Sequence, residues 1–143
     1  MAFDGFVNEY PDFPIGTFNL DGNDETLNEE QITDVKLKQA GTCIIEVYPN
    51  EGDHIPHMHI HNADKKFNVC VRLDKAEYFK HGPYQDEFNS KQKKEFNKIM
   101  HTITYYDPER TYWQSACASW NKHYEKDKID FLIIKDVDYS KLP

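Results

Sequence analysis

The residues of this chain best suited to chemistry are three histidines at alternate positions, His57, His59 and His61, in the run Pro56-His57-Met58-His59-Ile60-His61. Imidazole donates and accepts hydrogen bonds, changes charge near neutral pH, ligates transition metals and can act as a nucleophile. In an extended strand successive side chains point to opposite faces. The three imidazoles therefore share one face, and Met58 and Ile60 share the other.

Three chemistries fit that pattern. The first is metal binding, since imidazole suits zinc, iron, nickel or copper. Alternate residues of a straight strand stand about 6.5–7 Å apart, so two can share an ion and a third ligand needs a bend or another segment. His57 and His59 with His54 form the expected set for a zinc-like ion, and Asp53 and Glu46 are further donors nearby. The second is catalysis by His59, His57 and His61, through metal-bound water or a nucleophilic imidazole. The third is binding without catalysis or cofactor, by His57, His59, His61, Tyr48, Glu46 and Arg72. Arginine forks phosphate and aromatic rings stack on bases, so this face suits a small anionic or nucleotide-like ligand, or a partner protein. Binding is the expected function, and a His-dependent hydrolase is the alternative.

Composition narrows the partners. Acids outnumber bases 25 to 17 and the net charge is −8, which argues against a nucleic acid polymer. Residues 1–34 hold nine of the acids and no Lys or Arg, so the remainder is nearly balanced. This acidic front is expected to be a solvated surface. Cys43, Cys70 and Cys117 lie in apolar-patterned stretches without a C-x-x-C, as expected of buried thiols in a reducing compartment. The sequence shows no signal-peptide pattern and no apolar run near the roughly 20 residues that span a bilayer. The expectation is a cytoplasmic protein with no membrane partner.

The elements that must position the histidines follow from periodicity. An acidic arm is expected over 1–31, with a short strand at 15–20 and a weak helix near 27–33, ahead of one domain over 32–143. Alternation predicts strands at 32–38, 42–48, 57–61 and 67–73, joined by short turns as an antiparallel meander. A helix capped by Asn89 or Ser90 carries Phe96, Ile99, Met100 and Ile103 on one stripe, opposite Lys91, Lys93, Lys94 and Lys98. A second begins at Asp107-Pro108-Glu109 and carries Tyr112, Trp113, Ala116, Cys117 and Trp120, with both tryptophans in the core. The run 129–134 predicts a last strand. The fold class is α+β, with two helices on one face of the sheet.

Parity assigns Cys43, Ile45, Val47, Met58, Ile60, Phe67, Val69, Val71 and Leu73 to the helix-covered face. Glu46, Tyr48, the three histidines, Asn68, Cys70 and Arg72 fall on the other, which is expected to be wet. An open polar sheet could also pair with a second copy of itself as a homodimer.

Two resemblances accompany these residues. The string His57-Met-His59-Ile-His61 resembles the histidine-triad nucleotide hydrolase and transferase motif, which implies His59 as nucleophile. It departs from that motif at Asn62 and Ala63, where the family has apolar residues. Over 45–120, the order of Ile45, Tyr48, Glu51, Pro56-His57-x-His59, the strand ending at Leu73, Gly82, the basic helix and the tryptophan-bearing helix resembles small bacterial and phage proteins of the domain-of-unknown-function 4160 type. Ile55 stands where that family has a first proline. The resemblance implies an α+β fold and a setting among toxin–antitoxin or phage-conflict genes, and it implies no particular activity.

Overall fold

The computed structural model describes residues 15–21, 39–49, 54–126 and 142–143. They form an α+β fold with four strands in the order β1-β2-β3-β4, every neighbouring pair antiparallel, and two helices. The strands are β1 (Gly16–Asn19), β2 (Thr42–Glu46), β3 (His57–Asn62) and β4 (Asn68–Arg72). The helices are α1 (Ser90–Met100) and α2 (Tyr112–Lys126). Among the described residues no helix is long and apolar enough to cross a membrane.

The strand beside β2 is β1, in the register Thr17↔Ile44 and Phe18↔Cys43. Residues 16–19, expected in the acidic arm, thus belong to the sheet. The strand expected at 32–38, the helix near 27–33 and the strand at 129–134 lie outside the described residues. Glycine at position 16 leaves room for the Phe18 ring: a Cβ there would fall 2.1 Å from one of its carbons, so a larger residue would push the ring aside. Asp21 ties the β1–β2 connection to α1. Its carboxylate accepts from the amides of Ala40 (3.1 Å) and Gly41 (2.5 Å) and from Gln92 Nε2 (2.8 Å).

The apolar parity set is buried as expected, from Cys43, Ile45 and Val47 through Met58 and Ile60 to Phe67, Val69, Val71 and Leu73. Phe96, Ile99 and Met100 of α1 join this core, as do Trp113, Ala116, Trp120 and Tyr124 of α2. Burial of large apolar side chains is the main favourable term in holding sheet and helices together.

Helix boundaries are set by side-chain caps. Asn89 caps α1 in a reciprocal box with Gln92. The second helix starts later than its Asp107-Pro108 signal. Thr111 Oγ1 accepts from Gln114 N (3.2 Å) and Gln114 Oε1 accepts from Thr111 N (2.8 Å), a box that starts α2 at Tyr112. Asp107 is used otherwise: its amide donates to Thr104 Oγ1 and its carbonyl accepts from the same hydroxyl, which closes a turn. Ile103 pairs with Thr111 in an antiparallel bridge and is exposed, so it leaves the stripe of α1.

Candidate metal centre

The alternation in β3 holds, but the polar face is not wet. His57, His59 and His61 are 1%, 4% and 9% exposed, and Cys70 is 2% exposed. The cover is the segment after β4. Arg72 N donates to Glu77 O (2.7 Å), Phe79 N donates to Cys70 O (3.0 Å), and Val71 bridges Tyr78. This run lies along the outer edge of β4 and inherits its period of two. Phe79 and His81 consequently share the side that carries His57, and their ring centroids lie 5.2 and 5.3 Å from it. A tight turn follows. His81 and Tyr84 exchange backbone hydrogen bonds across Gly82 and Pro83, and Gly82 takes φ +51°, which favours glycine. The turn lays Tyr84 flat on His59, at 4.0 Å between centroids and 17° between planes.

Four donor groups converge under that cover. His57, His59, Cys70 and His81 each offer one ligand atom, and the four atoms lie within 4.8 Å of one another. His59 and Cys70 are directly opposed in the β3–β4 ladder. Tetrahedral zinc with bonds of about 2.0–2.3 Å needs donors roughly 3.3–3.8 Å apart. With one sulfur in the set, a pair at the full 4.8 Å has to close by about 1.2–1.5 Å, within reach of side-chain rotation. The donor set suits zinc and its borderline-soft neighbours rather than magnesium or calcium, which take oxygen ligands.

Two of the three imidazoles are oriented in a like manner. The Nδ1 of His57 contacts the carbonyl of Ile55, and the Nδ1 of His81 lies 3.0 Å from the carbonyl of Phe79. A carbonyl only accepts, so in each ring Nδ1–H is the donor and Nε2 is left as the basic atom. Metal-ligating histidines are typically fixed in this way by an outer hydrogen bond. The pKa of His59 is lowered to about 3, first by burial and then by His57, His81 and His61 around it. A neutral ring is the form that binds metal.

The other expected residues sit around this cluster. His61 turns aside and donates Nε2–H to Glu46 Oε1 (2.8 Å). Tyr48 is half-buried, with its ring 5.5 Å from that of His59. Arg72 is held by both oxygens of Asp74 (2.9 and 2.8 Å). His54 is exposed, with Nδ1 3.2 Å from Tyr124 Oη, and lies outside the four-donor group. Asp53 lies outside the described residues. Of the expected set of His57, His59 and His54, the first two belong to the four-donor group, whose other members are Cys70 and His81. The parity of β4 already placed Cys70 on the face that carries His59; the register of the ladder sets the two opposite each other. His81 carried one signal, an aromatic–imidazole alternation (Phe79, His81) running into Gly82-Pro83.

Compared with family models, curated proteins and solved structures, the chain finds no match.

Proposed function

We propose that this is a small metal-binding domain that takes one zinc-class divalent ion through His57, His59, Cys70 and His81. The observation that supports this most is the convergence of four soft or borderline donors within 4.8 Å. Four protein donors fill a tetrahedral shell, the closed arrangement of holding or structural centres rather than of sites that carry a reactive water. That favours a binding role over the metal-assisted hydrolase. A small anionic or nucleotide-like ligand is less well served. Arg72 is engaged by Asp74, and His59 stays neutral and lies under Tyr84.

The test is metal analysis of tag-free protein, followed by zinc titration after chelation. One equivalent per chain is expected, with a rise in melting temperature. Zinc at about 100 times its Kd should add roughly 2.7 kcal/mol. His59→Ala combined with Cys70→Ala should abolish both effects. Failure to take up one equivalent, or uptake that survives the double variant, would overturn the assignment.

A further inference from the structure

The four donors are not equivalent. His57, His59 and Cys70 are buried side chains of neighbouring, hydrogen-bonded strands. His81 is half-buried and belongs to the turn that covers them. Resting on the metal-binding assignment above, we propose that His81 is the exchangeable ligand. On this proposal the three strand donors keep the ion, and displacement of His81 presents one coordination position to an outside nitrogen or sulfur donor. Such a donor would be a histidine or cysteine side chain of another protein, or a small imidazole or thiol.

The build of the covering segment supports this. Its attachments to the sheet bracket His81. Phe79 N is bonded to Cys70 O on one side, and Asp86 N to Asn68 O (3.1 Å) with Asn68 N to Asp86 Oδ2 (2.9 Å) on the other. Between those points the turn closes on itself. His81 N bonds Tyr84 O (3.2 Å), Tyr84 N bonds His81 O (2.8 Å), and Gln85 bonds Pro83 O and Gly82 O. The His81 ring donates its orienting Nδ1–H hydrogen bond to Phe79 O and stacks on Phe79 at 4.4 Å, while its centroid lies 5.3 and 5.6 Å from those of His57 and His59, so the hydrogen bond that orients it comes from its own segment. A strand ligand can leave only by disturbing the β3–β4 ladder. His81 can leave with a six-residue turn whose backbone hydrogen bonds to the sheet stand at its two ends, so opening it breaks the stacking of Tyr84 on His59 and leaves the ladder intact. An incoming donor that replaces His81 balances the coordination change: one metal–nitrogen bond breaks, one metal–donor bond forms, and the ion keeps its charge; an imidazole enters neutral, whereas a thiol enters as thiolate and passes its proton to the displaced His81 ring or to solvent.

Cobalt(II) is the probe, because its visible spectrum reports tetrahedral geometry and thiolate ligation. His81→Gly should still bind one cobalt per chain, release it to a chelator about tenfold or more faster than wild type, and regain the wild-type spectrum when free imidazole is added. His57→Ala should bind substoichiometrically and gain nothing from imidazole. Wild-type cobalt protein, which needs no altered fold, should also exchange faster as free imidazole is raised. Wild-type cobalt uptake of zero would refute the metal centre itself. Normal uptake together with imidazole-independent exchange, or with a His81→Gly spectrum that imidazole does not change, would refute the role of His81 alone.

Discussion

His59 and Cys70 face each other directly across the β3–β4 ladder, both buried. Directly opposed residues hold their Cβ atoms about 4.5–5.5 Å apart, so the ladder itself brings an imidazole and a thiol to one point. An imidazole nitrogen and a thiolate sulfur so placed are a natural pair of ligands for one ion, and each prediction about the centre tests some part of that geometry.

Cys70→Ala should remove the thiolate-to-cobalt charge-transfer absorption and weaken cobalt binding about tenfold or more, while the metal-free protein loses about 1 kcal/mol, as is typical of a buried substitution. Absorption spectroscopy and urea unfolding measure the two effects separately. An unchanged charge-transfer band would remove Cys70 from the ligand set.

The metal-free protein should lose stability as pH falls below about 6.5. The folded pKa of His59, about 3, is depressed below its ordinary value of 6.5. Both states are neutral above 6.5, so nothing is lost there. Between 6.5 and 3 the unfolded chain binds a proton that the folded chain does not, and unfolding becomes easier as pH drops. The effect is of the order of a few kcal/mol. Urea midpoints measured from pH 7.5 to 4.5 should show this slope, and His59→Gln should flatten it. Equal slopes in the two proteins would assign the acid sensitivity elsewhere.

Thr111→Ala should cost about 1 kcal/mol by removing the reciprocal cap of α2. Asp107→Ala should cost less, because Asp107 closes a turn through its backbone and its side chain makes one hydrogen bond to the amide of Glu109 (3.0 Å) and a half-exposed ion pair with Arg110 (3.6 Å). Denaturation of the two variants side by side tests the helix start. A larger loss at Asp107 would move that start back to the proline.

Trp120→Ala should destabilise the fold by about 3–5 kcal/mol, as for other large-to-small changes at fully buried positions. Its ring packs on Tyr124 at 4.8 Å and reaches His57 at 6.3 Å. Metal binding by the folded fraction should therefore weaken as well, which calorimetric titration can follow beside the unfolding curve. A loss below 1 kcal/mol would contradict its place in the core.

Much of this architecture was legible in the chain. Alternation at Cys43–Val47, Met58–Ile60 and Phe67–Leu73 assigned the buried face, because a strand cannot shift by one residue without turning that set outward. The heptad spacing of Trp113 and Trp120 assigned both to the core for a similar local reason. The helix start was less legible, since Asp107-Pro108 and Thr111-x-x-Gln114 are both start signals and the competing turn at Thr104 decides between them.

The sequence by itself determined that His57, His59 and His61 share one side of a strand, since that depends only on backbone geometry. It could not determine what lies over them. The cover over His57 and His59 and the entry of His81 into the group come from the path of residues 77–84, which run along β4 and then turn inward, with Trp120 of α2 reaching His57 and Tyr48 lying beside His59. Ligands drawn from two segments meet only when the chain has closed on itself, so the four-donor centre is a property of the tertiary structure.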